Sequence, residues 1–167
     1  MKIVVFTLND REYALDVAQV REVIRITTIL PLPDVPSWIE GIINLRGEIL
    51  PILSLPRKLN IGTQNQNDLN RVIIAHRQER CFGILVDSVL GVKTISKKDL
   101  CIPDELLRET GTIQAVAKID HQMIPLLDLY SLLNESETQT LQGASQQSEA
   151  VLYGSENMDC TMVQQEE

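Results

Sequence analysis

The sequence is short of the residues on which metal and redox chemistry rest. Its three cysteines, Cys81, Cys101 and Cys160, are odd in number with no Cys-x-x-Cys pair, and its two histidines, His76 and His121, lie in unrelated segments. A disulfide framework and a structural zinc site are therefore not expected, and Cys81 beside Phe82 reads as a small buried hydrophobe. Long apolar runs are lacking as well. The longest nearly apolar stretch, Ile49 to Pro56, contains two prolines and Ser54 and falls far short of the roughly 20 residues of a membrane helix. The opening run Ile3 to Phe6 is cut off by Asn9-Asp10-Arg11-Glu12 without a small-residue cleavage site behind it, so no secretory leader is expected and the protein should stay in the cytoplasm.

Signatures of catalysis are missing too. No P-loop, G-x-G-x-x-G, G-x-S-x-G or H-E-x-x-H motif occurs, and no acid, base and nucleophile converge in the sequence. No catalytic residue, cofactor or metal is assigned, and an enzyme is not expected. Asp16, Asp87 and Asp128 stand at the ends of expected strands and read as capping carboxylates. Asp120-His121 reads as a hairpin turn between Ile119 and Met123. A small β-barrel hydrolase or ligand carrier would need a polar constellation that these residues do not supply.

Positive charge is absent beyond Lys118, and 15 Lys and Arg face 23 Asp and Glu for a formal charge of −8. That is the wrong sign for a protein built to follow a phosphate backbone, so nucleic acid is not an expected partner. Seven of the acids follow residue 134; the remaining 16 face 15 bases, leaving residues 1–134 at about −1. Residues 135–167 are rich in Gln, Ser, Thr and Glu without apolar periodicity. This acidic tail is expected to be disordered, with Ala150 to Tyr153 as a short stretch able to dock locally.

Across 167 residues, 44% are hydrophobic and 23% charged, an ordinary globular balance suited to one domain or two small halves. Ile3 to Leu8, the turn Asn9-Asp10 and Glu12 to Leu15 predict a hairpin. Asp16 is placed to cap a short helix carrying Val17, Val20, Val23 and Ile24 at helical spacing. Pro31, Pro33 and Pro36 interrupt regular structure before one helical turn over Pro36–Glu40. Arg46-Gly47-Glu48 predicts a turn between two buried segments, and strands are expected over 71–76, 80–87 and 89–96. Residues 62–70 read as an exposed loop.

Two collinear echoes join these elements. Tyr13-Ala14-Leu15 with Val17, Val20 and Val23 matches Phe82-Gly83-Ile84 with Val86, Val89 and Val92 at an offset of 69, and Ile49 to Leu55 matches Met123 to Leu129 at an offset of 74. They predict a duplicated, strand-rich subdomain whose halves, too small to fold comfortably alone, pack together or interlock. Small β-barrels with a groove between them are the expected form.

The stretch Gly41-Ile42-Ile43-Asn44-Leu45-Arg46-Gly47-Glu48-Ile49-Leu50-Pro51 combines a glycine-bounded turn, an arginine and apolar flanks, the ingredients of an interaction hot spot. An ordinary exposed turn, with Arg46 paired to Glu48 or Glu40, fits it equally well on these residues alone. Together with Phe6-Thr7-Leu8, Tyr13-Ala14-Leu15-Asp16-Val17, Val20-Arg21-Glu22-Val23, Leu32-Pro33, Gly83 to Val89 and Ile124 to Leu129, it resembles the CheW family of chemotaxis coupling proteins over about residues 1–134. Ser54 departs from that pattern, since many members carry Asp there; Asp stands at the echo position Asp128.

The resemblance implies a mainly β fold of two five-stranded SH3-like barrels with short helices and a shared core. It implies a non-catalytic adaptor that joins a chemoreceptor's cytoplasmic helical tip to the regulatory domain of a CheA-type histidine kinase, at receptor arrays on the inner face of the membrane without inserting into it. An adaptor of a chemosensory system controlling pili or another non-flagellar output is the alternative within the same fold. Val20, Gly41 and Arg46 match family positions on which coupling depends, and Glu22, Asn44 and Gly47 beside them complete the expected partner-binding set.

Overall fold

In a computed structural model, residues 1–62, 68–102, 104 and 112–133 are described. Eleven strands occur among them: β1 (Lys2–Leu8), β2 (Arg11–Asp16), β3 (Val20–Arg25), β4 (Ile39–Leu45), β5 (Glu48–Ser54), β6 (Arg71–Arg77), β7 (Arg80–Val86), β8 (Ser88–Thr94), β9 (Leu100–Cys101), β10 (Ile113–Ile119) and β11 (Gln122–Leu127). Two one-turn helices, α1 (Leu55–Lys58) and α2 (Leu129–Leu132), follow β5 and β11.

Two-residue turns fix the hairpins. Asn9-Asp10, Arg46-Gly47 and Asp120-His121 all have positive φ at both central positions, the type I′ geometry whose twist matches that of paired strands. The expected Asp120-His121 turn is thus found between β10 and β11, where Ile119 faces Gln122.

The strands form a five-stranded sheet ordered β3-β6-β7-β5-β4 and a six-stranded sheet ordered β8-β1-β2-β11-β10-β9. Under the offsets of 69 and 74, β8, β1, β2, β11 and β10 correspond in turn to β3, β6, β7, β5 and β4. The two sheets therefore repeat one strand order, with the two-residue β9 added to the larger. Irregularities repeat as well: bulges at Arg21 in β3 and Leu90 in β8, and register shifts at Glu40 in β4 and Gln114 in β10, fall at equivalent positions.

The duplicated halves do not each own a sheet. The β1–β2 hairpin pairs with β8 and β11 from the second half, while β6 and β7 pair with β3 and β5 from the first. Of the two expected arrangements, packing together or interlocking, the chain adopts the second.

Three apolar clusters follow from this exchange. Ile43, Leu50, Ile52, Val72, Ile74 and Leu85 fill the smaller sheet, and Ile3, Val5, Ala14, Ala117, Ile124 and Leu126 fill the larger. Between the sheets lies a shared core that includes Val4, Phe6, Leu15, Ile73, Phe82 and Ile84. Strands β1 and β6 thus alternate between a sheet interior and the shared core, so both faces are apolar and their sequences read as unbroken hydrophobic runs.

Some local expectations need correction. Asp16 does cap a helical turn, accepting from the Ala18 N–H at 2.9 Å, but that turn is a 3₁₀ segment ending at Gln19; Val20, Val23 and Ile24 lie in β3. Their β-branched side chains favour the extended backbone, and β6 supplies the ladder. At Pro36 the helical turn is one backbone bond, from the Ile39 N–H to the Pro36 carbonyl, after which β4 begins. Within 62–70, Gly62, Asp68 and Leu69 are exposed but Asn70 is buried; residues 63–67 lie outside the described residues, as does the tail 135–167. Ser54 Oγ accepts from the Arg57 N–H at 3.4 Å, so the serine keeps the capping role of the position. No helix among the described residues is long and apolar enough to cross a membrane.

Candidate functional site

The β4–β5 hairpin brings Asn44, Arg46 and Gly47 to one rim of the smaller sheet. Arg46 has φ of 50° and Gly47 of 87°, and Asn44 Oδ1 accepts from the Gly47 N–H at 2.9 Å. That side-chain bond anchors the turn to its own strand. The Arg46 side chain is 62% exposed, and its Nη2 donates to Glu22 Oε2.

Glu22 is the second partner-binding candidate on this rim. Its carboxylate also meets Arg21 Nε at 3.5 Å, and Arg21 Nη1 reaches Glu48 Oε1 at 3.2 Å and Cys81 Sγ at 3.3 Å. The result is a chain of alternating charge, Arg46, Glu22, Arg21, Glu48. Strands β3 and β4 are the two ends of the smaller sheet's ladder, so these side chains bridge a seam that no backbone ladder crosses.

Electrostatics follow the geometry. The Arg46 hydrogen bond, with the nearby Arg46 and Arg21 charges, holds the Glu22 carboxyl below the usual carboxylate range against an opposing effect of desolvation. The hydrogen bonds to Cys81 and Glu48 push the Arg21 guanidinium upward, so it stays charged at any ordinary pH. Exposed pairs of this kind add little stability; what the chain supplies is a fixed direction for Arg46.

The remaining expected residues take different places. Val20 is half-buried against the shared core. Gly41 is buried in β4 beneath the Ile29–Leu30 segment, which bridges to Ile42. A Cβ at Gly41 would collide with the Leu30 carbonyl, so this glycine serves the close approach of two backbones. The six candidates thus divide into a rim of exposed Asn44, Arg46 and Gly47 with half-buried Glu22 beside them, and two inward positions, Val20 and Gly41.

Arg46 pairs with Glu22 and not with the adjacent Glu48 or Glu40. Glu40 instead meets Arg57 at 3.8 Å. Arg21 was not among the sequence candidates; the signal for it is the bulge, which the echo position Leu90 shares. Cys81 is half-buried with its sulfur on Arg21, more polar surroundings than a buried hydrophobe has. Asp128 accepts from the Ser131 hydroxyl at 2.9 Å and serves the local turn expected of it, whereas Asp87 accepts from the Asn9 N–H at 2.7 Å and so ties the distant β1–β2 turn to the end of β7.

Residues 2–137 match the family model for the CheW-like domain. The chemotaxis protein CheW of Thermotoga maritima is 31% identical over 130 residues, covering 78% of this chain and 85% of the relative. That of Treponema pallidum is 28% identical over 146 residues, covering 84% and 86%. Among solved structures, the scaffolding protein TtCheW from Thermoanaerobacter tengcongensis superposes with a TM-score of 0.75 at 34% identity, covering 81% of this chain and 94% of that one. With a matching family model over most of its length and the same two-sheet fold, this chain belongs to the CheW family of chemotaxis coupling and scaffold proteins.

Proposed function

We propose that the protein is a non-catalytic adaptor that joins the cytoplasmic helical tip of a chemoreceptor to the regulatory domain of a CheA-type histidine kinase. It works in the cytoplasm, at receptor arrays on the inner face of the membrane. Residues 1–134 form the working domain and 135–167 an appended acidic tail. The observation that carries this reading is the Arg46 rim: a planar donor fork, mostly in solvent yet directed by Glu22 and a rigid turn, suits carboxylates or carbonyls on a partner helix. Glu22, Asn44 and Gly47 shape the contact, while Val20 and Gly41 support it from beneath.

Affinities for a receptor fragment and for a kinase regulatory domain, measured with wild type, Arg46→Ala and Arg46→Lys, test the proposal. Arg46→Ala should weaken receptor binding by about 1–3 kcal/mol, roughly 5- to 150-fold, and Lys should restore little of it. Kinase binding should suffer less. Unchanged receptor affinity in both variants, with melting temperatures intact, would end the assignment.

A further inference from the structure

The larger sheet is assembled from two distant parts of the chain. The β1–β2 hairpin, residues 2–16, comes first; all five strands of the smaller sheet then lie between residues 20 and 86, and β8 to β11 complete the larger sheet afterwards. A single three-residue connector, the 3₁₀ turn Val17–Gln19, carries the chain from the hairpin into β3. Val17 and Val20 pack beside the hairpin in the shared core, but its sheet partners outside itself lie far away in sequence. β1 pairs with β8 through six residue pairs from Lys2↔Thr94 to Thr7↔Ser88, Ala14 pairs with Leu126, and the N-terminal ammonium donates to the Ile95 carbonyl at 3.2 Å.

We propose that a second copy of this chain is a binding partner through exchange of this hairpin. The β1–β2 hairpin of each copy then completes the larger sheet of the other. The receiving surface is the edges of β8 and β11 together with the shared core, where Val4, Phe6 and Leu15 pack with Ile73, Phe82 and Ile84, and the occupant is chemically identical to the one the surface already accepts, so every ladder bond and buried side chain is reproduced in the dimer. Only the connector changes: it must extend, giving up the Ala18 N–H to Asp16 bond. Exchange of an identical element across a short hinge is a low-cost route to a closed, two-fold dimer, and a shortened hinge favours it. The same lending of a hairpin already occurs between the two halves of one chain. The exchanged dimer carries two Arg46 rims, each three strand residues or fewer from an opened connector through Glu22. This inference stands on topology and does not rest on the adaptor role.

Mixed-copy cross-linking tests it with the full chain, in a background with Cys81→Ser, Cys101→Ser and Cys160→Ser. One copy carries Thr7→Cys and the other Ser88→Cys; these side chains touch at 2.7 Å across the β1–β8 ladder, within disulfide reach. The two are unfolded together, refolded at high and low protein concentration, and oxidised. A covalent heterodimer, increasing with concentration and having twice the 18.8 kDa chain mass, is expected. A second variant lacking Val17–Gln19 should shift the population towards dimer with an unchanged circular dichroism spectrum. Absence of the heterodimer at every refolding concentration overturns the proposal, whether or not the deletion variant folds; so does a deletion variant that is folded and monomeric.

Discussion

A methyl group at Gly41 would strike the Leu30 carbonyl, and the φ of 151° there is one that side chains rarely adopt. Gly41→Ala should therefore cost more than about 2 kcal/mol in urea unfolding, and any loss of partner binding should track the loss of fold. Gly47 differs. Its φ of 87° is equally suited to glycine, but nothing lies within 4 Å of where its Cβ would be, so Gly47→Ala should cost about 1–2 kcal/mol of backbone strain and leave a folded body. Comparing the two variants separates a glycine that holds two backbones together from one that shapes a turn. Glu22 supplies a third expectation at this scale. Because its folded pKa is depressed, chiefly by Arg46, its contribution is present above the ordinary carboxylate range and is lost as pH falls through the lowered value. Glu22→Gln should remove that part of the acid dependence: melting temperatures of wild type and variant should differ most near neutral pH and converge in acid.

Among the elements, position in the sheets decides what a substitution does. Strand β6 is apolar on both faces, with Ile73 fully buried in the shared core, so Ile73→Ala should cost about 2–5 kcal/mol. Strand β3 ends its ladder, and Val23 projects into solvent; Val23→Ala should stay within about 0.5 kcal/mol. Urea titration of both variants measures the contrast. This difference also explains what could be read in the sequence. Strands buried on both faces announce themselves as runs such as Ile3 to Phe6 and Val72 to Ala75, and the tight turns at Asn9-Asp10, Arg46-Gly47 and Asp120-His121 are local. β3 was hidden by its bulge. The extra residue at Arg21 lets Val20 face the shared core and Ile24 the sheet interior, which converts a period of two into a spacing that imitates a helix. The site was legible to the same extent: Arg46 on its turn is a local feature, whereas its pairing with Glu22 depends on two ends of a ladder meeting across 24 residues.

At the scale of the whole molecule, each sheet draws on both halves. Fragments 1–68 and 69–134 expressed apart should each fail to give a well-dispersed amide spectrum as monomers, and mixing them should restore it. A folded monomer from either alone would contradict the shared core. Truncation after residue 134 removes seven acids and no base, and it should leave the melting temperature within about 4 °C of the full chain.

The exchange also sets a schedule for synthesis. The smaller sheet has all its strands once residue 86 has left the ribosome, but the hairpin that emerges first must wait for β8 and then for β11, which ends at residue 127. At about 5–20 residues per second, that interval is on the order of 5–20 s. Val4 and Phe6 can meet the shared-core face of the smaller sheet once residue 86 is out, but Ile3 and Val5 face a sheet interior whose other side chains, from Ile95 to Leu126, have yet to arrive. For a growing chain, the β1–β2 hairpin is thus made before the strands that flank it in the sheet and is among the last segments housed, which makes it the natural target of chaperones that attend nascent polypeptides.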